Sequence, residues 1–324
     1  MRGKKIRSCA LLLSLVLLIS ACAANQPDEP KEPERPYVIA ITKAMNSLHW
    51  LSVQEGMEHA ADNFGVDLTV RWPKDEDNID VQMQILEDVI KAKPDALAIA
   101  PCAPEIILQN YKKIQEAGIS LFYMDEEPVA GAPAPYVGSD NYHAGELAAC
   151  ELAAALPDGA EVAVIGGDKH LTAHARRMQG FSDTVRGETS MTCTAEREVA
   201  GVSVEGGRDA MRQLLNEYPQ ISGVFCGSAM LVMGALEACE EAGRSDILLV
   251  GMDTQSDALS ALEEGKLLAM VSQNGYEIGS ETIRRISEEL SGGQVPEYTY
   301  VDNDVITQDT AVSYMDAYMT EERT

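Results

Sequence analysis

Polar side chains that can exchange hydrogen bonds or charge follow most of the apolar, strand-like runs of this chain. A carboxylate can accept from two neighbouring hydroxyls and an arginine can donate to two, and such charge-assisted bonds are the stronger kind. In an open parallel sheet, ligands bind beyond the carboxyl ends of the strands, so we expect these segments to line one site for a small polar ligand. The segments are Thr42-Lys43, Pro101-Cys102, Asp125-Glu126-Glu127, Gly166-Gly167-Asp168, Gly227-Ser228-Ala229, Asp253-Thr254 and Gln273-Asn274.

The motifs that would indicate catalysis, a cofactor or a metal are missing from the sequence. Gly166-Gly167 lacks the third glycine of a dinucleotide-binding turn, and the chain has no phosphate-binding loop and no Gly-x-Ser-x-Gly. Glu126-Glu127 could pair for acid–base chemistry, but adjacent loop residues rarely converge. His170 and His174 are four residues apart, yet they lack the HExxH context of a zinc helix. We therefore predict a binding protein rather than an enzyme, with no cofactor and no metal.

The elements that must position these residues are strands alternating with amphipathic helices. Several strand-like runs are apolar without alternation, as expected for parallel strands covered on both faces. Repeated β-α-β units give a parallel sheet with right-handed crossovers. The rhythm breaks between Pro128 and Pro135 and restarts after Asn141, which predicts an α/β protein of two doubly wound parallel-sheet lobes. The predicted strands are Tyr37–Thr42, Leu68–Trp72, Ala96–Ala100, Ser120–Met124, Glu161–Ile165, Gly223–Cys226, Leu248–Met252 and Leu268–Ser272.

The first 36 residues predict export and anchoring. A positively charged start, the apolar run Ala10–Ile19 and small residues before a cysteine are typical of a secretory signal too short to span a membrane. Ile19-Ser20-Ala21-Cys22 resembles the lipobox of bacterial lipoproteins. We therefore predict a signal peptide over residues 1–21, lipidation of Cys22, and a proline-rich, charged tether over residues 22–36 that stays extended and solvated.

The net charge argues against anionic binding partners. The 324-residue chain carries −27, and the leader holds four positive charges, so the mature chain is near −31, counted as −27 minus 4. So acidic a body is a poor candidate for binding nucleic acid or anionic lipid, because both repel it. We expect membrane attachment through the lipid anchor only.

The cysteines do not predict a disulfide framework. Once Cys9 leaves with the leader and Cys22 carries lipid, five remain at irregular spacing without a C-x-x-C pair. One disulfide is possible in an oxidising compartment, but its connectivity cannot be read from the sequence. Buried free thiols are the default expectation for Cys102, Cys150, Cys193, Cys226 and Cys239.

Three segments taken together resemble a known family. They are Arg177-Met178-Gln179-Gly180-Phe181, Gly251-Met252-Asp253, and Gly265-Lys266-Leu267-Leu268-Ala269 ending at Gln273. They resemble the ribose- and galactose-type periplasmic sugar-binding proteins of ABC importers, and the resemblance runs from residue 37 to about 307. It implies a type I periplasmic-binding-protein fold with three crossovers, near Ser139, near Gln273-Asn274 and near Asp304-Val305. The first lobe would then comprise residues 37–139 and 274–303, and the second 140–273 and 304–324.

The resemblance also implies roles for individual residues. Asp125, Arg177, Asp253 and Gln273 would bind sugar hydroxyls, and Trp50 would stand where an aromatic ring packs on the sugar. From the residues alone, Asp125 and Asp253 could instead cap helices, and Trp50 could belong to the core. Other positions depart from the family pattern and would select the ligand: Lys43, Ser47, His49, Glu126 and Ser228.

The sequence therefore predicts an extracytoplasmic, lipid-anchored substrate-binding protein. It would capture a simple sugar or polyol by hinge closure and deliver it to the permease of an ABC importer. Alternatively, the same fold would bind a furanosyl autoinducer, or present a sugar to a membrane sensor kinase or chemoreceptor.

Overall fold

The computed structural model describes residues 35–45, 47–75 and 78–321, with side chains up to residue 315. The predicted signal peptide, Cys22 and the tether up to residue 34 lie outside the described residues. Within the part of the chain that is described, no helix combines the length and apolar character needed to cross a lipid bilayer.

Strands and helices alternate along the described chain, as predicted. The first half contains β1 (Tyr37–Ile41), α1 (Leu48–Phe64), β2 (Asp67–Arg71), α2 (Ile79–Ala92), β3 (Ala96–Ile99), α3 (Pro104–Glu116), β4 (Ser120–Met124) and β5 (Tyr136–Ser139). Next come α4 (Asn141–Ala155), β6 (Glu161–Gly166), α5 (Thr172–Glu188), β7 (Thr192–Glu198), α6 (Val204–Glu217), β8 (Gly223–Cys226), α7 (Ala229–Ala242), β9 (Leu248–Met252), α8 (Ser256–Glu263) and β10 (Ala269–Gln273). The chain continues with α9 (Gly275–Leu290), β11 (Tyr298–Val301), β12 (Asn303–Thr307) and α10 (Gln308–Glu321).

The strands form two sheets, one in each lobe. The first sheet has the order β11-β5-β4-β3-β1-β2, and the second has the order β12-β10-β9-β8-β6-β7. Neighbouring strands are parallel except that β12 runs antiparallel to β10. The predicted fold class, two doubly wound α/β lobes, is confirmed.

Within the described residues, the chain passes between the two sheets three times. It does so at Asp140, between β5 and α4, at Asn274, between β10 and α9, and at Asp302, between β11 and β12. The third crossing precedes Asp304-Val305, because both of these residues already lie within β12.

Four strands, β5, β7, β11 and β12, were not predicted from the sequence. β7 illustrates the reason, since its seven residues are mostly polar and only partly buried, and it pairs with β6 alone at the edge of the sheet. An edge strand needs little apolar sequence because water covers its outer side. The central strands β1, β3 and β8 are buried almost throughout, which is why their apolar runs were readable.

Four cysteines of the described body, Cys150, Cys193, Cys226 and Cys239, are free thiols. Cys226 and Cys239 are buried in the core of the second lobe, whereas Cys150 is exposed and Cys102 and Cys193 are half-buried. The expectation of buried thiols is therefore wrong for three of the five.

Two helices, α4 after the first crossing and α9 after the second, pack very closely on a neighbouring helix because glycines lie at the contacts. α9 meets α1 through Gly56 and Gly279, and α4 meets α5 through Gly145 and Gly180. An added Cβ at Gly180 would overlap the carbonyl of Tyr142, the second residue of α4. Backbone thus touches backbone where α4 leaves the first crossing.

We expect Gly180→Ala to lower the free energy of unfolding by about 1–3 kcal/mol, because the new methyl group overpacks the α4–α5 contact. The matched control is Gly187→Ala on the same helix, where an added Cβ meets nothing within 4 Å. That change should stabilise the protein by up to about 1 kcal/mol, because alanine is the better helix former. Urea unfolding measures both, and equal effects of the two substitutions would contradict the packing argument.

Candidate ligand-binding site

The first lobe contributes an ion pair and a histidine–carboxylate contact at the carboxyl ends of its strands. Lys43 follows β1 and donates from Nζ to Oε1 of Glu126, which follows β4, at 2.9 Å. His49, in the first turn of α1, pairs through Nε2 with Oδ1 of Asp125 at 2.9 Å. Lys43, Asp125 and Glu126 are all buried. The structure therefore brings these four predicted residues together.

Asp125 and Asp253 occupy equivalent turns in the two lobes. Each follows a strand, has a positive φ (67° and 70°), and donates its backbone N–H to the carbonyl of a residue on a neighbouring strand. Aspartate is among the few non-glycine residues that adopt this conformation readily. Neither residue caps a helix, since the N-cap of α8 is Gln255 and the carboxylate of Asp125 bonds His49. The alternative reading of both as helix caps is thus wrong.

The electrostatics of Asp125 link the two lobes. Burial by itself would raise the pKa of this carboxyl, but the charge and hydrogen bond of His49, with Lys43 and Arg177, lower the pKa to about 2. Arg177 belongs to the second lobe, so a cation of one lobe acts on an anion of the other. The carboxylate is ionised at every physiological pH.

The guanidinium of Arg177 is held in place by the second lobe. It lies on α5, is 5% exposed, and donates from Nε to Oδ1 of Asn141 at 2.8 Å. Nη1 donates to the carbonyl oxygen of Gly227 at 3.2 Å. Asn141 is the first residue of α4, directly after the first crossing. The role of Asn141 was not predicted from the sequence, because this residue belongs to no motif and is brought to Arg177 only by the α4–α5 packing.

Asp253 and Gln273 are held together at the ends of β9 and β10. Gln273 donates from Nε2 to Oδ1 of Asp253 at 2.7 Å. Oε1 of the same amide is buried and has no hydrogen-bond partner among the described residues. This bond therefore leaves an acceptor on Gln273 available for an incoming O–H or N–H group.

Three other predicted residues have structural roles. Ser47 and Ser228 are the N-caps of α1 and α7, and each hydroxyl accepts from a backbone N–H, at 3.4 and 3.3 Å. Trp50 is 2% exposed and belongs to the hydrophobic core of the first lobe, with its ring edge-on to His49 at a centroid distance of 4.9 Å. Its indole packs against the His49 ring, and neither face of the indole is exposed in this structure.

A contact between the lobes lies beside this cluster. Nε of Arg176 on α5 lies 3.8 Å from Oε1 of Glu127, in the segment after β4. The guanidinium of Arg176 also lies 5.6 Å from the ring centroid of Tyr142. Burial raises the pKa of Glu127, and Arg176 offsets part of that effect. Glu127 was predicted to lie at a strand end. Arg176 was not predicted, because nothing in the sequence distinguishes it from any surface arginine.

The two histidines considered as a metal pair lie in different surroundings. His170 precedes α5, is exposed, and pairs through Nδ1 with Asp168 at 2.8 Å, whereas His174 lies in the first turn of the helix. Within the described residues, the ligand atoms of Asp168, His170 and Glu198 come within 4.8 Å of one another, but none of the three is buried. Exposed groups of this kind are common without a metal.

Comparison with known proteins agrees with this architecture. The model of the periplasmic binding protein domain matches residues 38–294. The ribose import binding protein of Bacillus subtilis is 29% identical over 297 residues, covering 90% of this chain and 95% of that protein. The D-ribose/D-allose-binding protein of Pseudomonas aeruginosa is 28% identical over 313 residues, covering 91% and 95%.

Solved structures show the same two-lobed fold. The glucose-galactose binding protein of Geobacillus stearothermophilus superposes with a TM-score of 0.79 at 26% identity, covering 86% of this chain and 99% of that one. An arabinose binding protein from the same organism gives 0.77 at 26% identity, covering 87% and 99%. Because the family model spans most of the chain and the relatives align over nearly their whole length, the chain belongs to the periplasmic binding protein family.

Proposed function

We propose that this protein binds a simple sugar or polyol between its lobes and delivers it to an ABC importer. The observation that carries the proposal is the convergence of charged and amide groups from both lobes. Arg176 of the second lobe lies 3.8 Å from Glu127 of the first, and the charge of Arg177 helps to lower the pKa of Asp125. The relatives support the ligand class, because those described above are named for binding ribose, allose, arabinose, glucose or galactose.

The donors and acceptors suit hydroxyl groups. Asp125 and Asp253 supply carboxylate acceptors, and Arg177 supplies donors. Gln273 supplies an acceptor, Oε1, that has no hydrogen-bond partner among the described residues. A hydroxyl is both donor and acceptor, so adjacent hydroxyls of one sugar ring can pair with a carboxylate and a guanidinium together. Each charge-assisted bond contributes about 1.5–3 kcal/mol.

The internal pairing of charges favours a neutral ligand. Lys43 is neutralised by Glu126, and Asp125 is paired with His49. Arg177 donates to the neutral oxygens of Asn141 and Gly227, and its charge acts on the Asp125 carboxylate, so a phosphate or a sugar acid bound to Arg177 would compete with that buried carboxylate. A neutral polyhydroxylated ligand adds no such repulsion.

Binding and closure are coupled in this proposal. The three crossings act as a hinge, and the ligand favours the closed arrangement because only there do groups of both lobes contact it. Closure also removes water, so an analogue that lacks a bonded hydroxyl leaves buried polar groups unpaired. The importer then recognises the closed form and no reaction is catalysed, in keeping with a family of binding proteins that are not enzymes.

Titration calorimetry with D-ribose, D-allose, D-galactose, D-arabinose and sorbitol tests the proposal. We expect saturable binding of at least one, with a change in the emission of Trp50, which contacts His49. Trp72 is 42% exposed, and the signal should persist in Trp72→Phe. Absence of saturable binding to every compound would refute the proposed ligand class. A strain lacking the protein should also lose uptake of the bound sugar at low external concentration.

We also propose that the protein works outside the cytoplasm, as its family does, anchored through lipid on Cys22. Cys22→Ala should move the protein from the membrane fraction to the soluble fraction, and to the detergent-poor phase in a detergent partition. Cys150→Ala is the matched control, because that thiol is exposed and lies in the folded body. Retention of the Cys22→Ala protein at the membrane would contradict lipid anchoring.

A further inference from the structure

His174 lies in a slot formed by two glycines at strand ends. An added Cβ at Gly167, just after β6, would stand 2.8 Å from Nδ1, Cε1 and Nε2 of the imidazole. An added Cβ at Gly227, just after β8, would stand 3.9 Å from Nδ1. The ring therefore lies over Gly167, at the edge of the sheet where ligands bind in such folds.

The Nδ1 atom of His174 is buried and has no hydrogen-bond partner among the described residues. Buried polar atoms in folded proteins nearly always have a partner, so this one calls for an explanation. Arg177 lies three residues later on the same face of α5. Unlike Nδ1 of His174, its Nε and Nη1 atoms have partners, since they donate to Asn141 and Gly227.

The surroundings of His174 keep it neutral. Burial lowers its pKa to about 3, and the positive charges of Arg177 and Lys43 act in the same direction, against Asp168 and Asp125. Lys43 and Asp125 belong to the first lobe, so charges of both lobes act on this imidazole. A neutral imidazole offers one donor and one acceptor, which is the combination that a hydroxyl complements.

We propose that His174 is a further ligand-binding residue, whose Nδ1 exchanges a hydrogen bond with one hydroxyl of a sugar held between the lobes. The inference rests on the proposed function and adds a contact that neither the sequence motifs nor the family resemblance indicated. It makes the pocket selective, because a sugar without that hydroxyl leaves Nδ1 unpaired on closure.

The test compares His174→Phe with the matched control His170→Phe. Phenylalanine keeps a planar ring but removes both nitrogens, and His170 lies four residues away on the exposed side. Calorimetry with the best-bound of D-ribose, D-allose, D-galactose and D-arabinose should show a loss of roughly tenfold to a hundredfold for His174→Phe. His170→Phe should bind as the wild type does. His174→Asn, which restores a polar amide, should recover part of the loss.

The monodeoxy analogues of that sugar separate a direct contact from a change in packing. One of these analogues lacks the hydroxyl that bonds His174. The wild type and His174→Phe should bind that analogue with equal affinity. A penalty that is the same for every analogue would overturn the proposal, and so would unchanged binding of the parent sugar. If the wild type binds none of the sugars, the proposed function itself fails and the contact with it.

A measurement on the wild type covers the case in which His174→Phe does not fold. In protein labelled with ¹⁵N at histidine, saturation with the best-bound sugar should shift the Nδ1 resonance of His174 and leave that of His170 in place. An unchanged His174 resonance in the sugar complex would overturn the proposal.

Discussion

Asp253→Ala is expected to weaken sugar binding by roughly 10² to 10⁴-fold, the equivalent of two charge-assisted hydrogen bonds. Three effects act together. The ligand loses a carboxylate acceptor, Nε2 of Gln273 loses its partner at 2.7 Å, and alanine must adopt a backbone with φ of 70°. Titration calorimetry with the best-bound sugar of the panel measures the loss.

Two controls separate these effects. Asp253→Asn keeps an acceptor for Gln273 and tolerates positive φ, so it should lose only the part due to charge, about tenfold. Asp62→Ala changes an exposed aspartate of α1 and should leave affinity unchanged. If Asp253→Ala binds within threefold of the wild type, this carboxylate does not contact the ligand.

The free energy of unfolding is expected to decrease as the pH falls, over a pH range that the two pKa values of His174, folded and unfolded, determine. Because burial and the neighbouring cations lower its pKa to about 3, the unfolded chain binds a proton at His174 below about pH 6.5 while the folded chain does not. The free energy of unfolding therefore decreases as the pH falls from 6.5 towards 3. The loss attributable to His174 is about 2 kcal/mol at pH 5 relative to pH 7.

Urea unfolding of the unliganded protein between pH 4.5 and 7.5 checks this slope. His174→Phe should flatten it, because the group that takes up the proton is gone. His170→Phe should keep it, since the pKa of His170 is raised by its bond to Asp168 and its contribution is instead lost as the pH rises. Equal slopes for wild type and His174→Phe would contradict the assignment. Asp125, whose pKa is about 2, adds acid sensitivity only below about pH 4.

Much of the fold could be predicted from the sequence because the determinants are local. Buried parallel strands must be apolar on both faces, so β1, β3 and β8 appear as unbroken apolar runs. The residue after such a run must lie at the ligand-binding edge of the sheet, which placed Lys43, Asp125 and Asp253 correctly at strand ends. Edge strands such as β7 carry no such signal, because water covers one of their sides.

The sequence by itself determined that the body is a two-lobed α/β protein and which polar residues end its strands, since periodicity and burial act within a few residues. Only the tertiary structure decided the pairings. The bonds of His49 to Asp125 and of Arg177 to Asn141 join residues far apart in the chain, and no spacing rule predicts them. Trp50 and His174 both lie on the first turn of a helix, yet Trp50 is buried in the core of the first lobe and the ring of His174 lies over Gly167 at the end of β6. Which of these places such a side chain takes depends on the glycines and strands that the folded chain brings beside it.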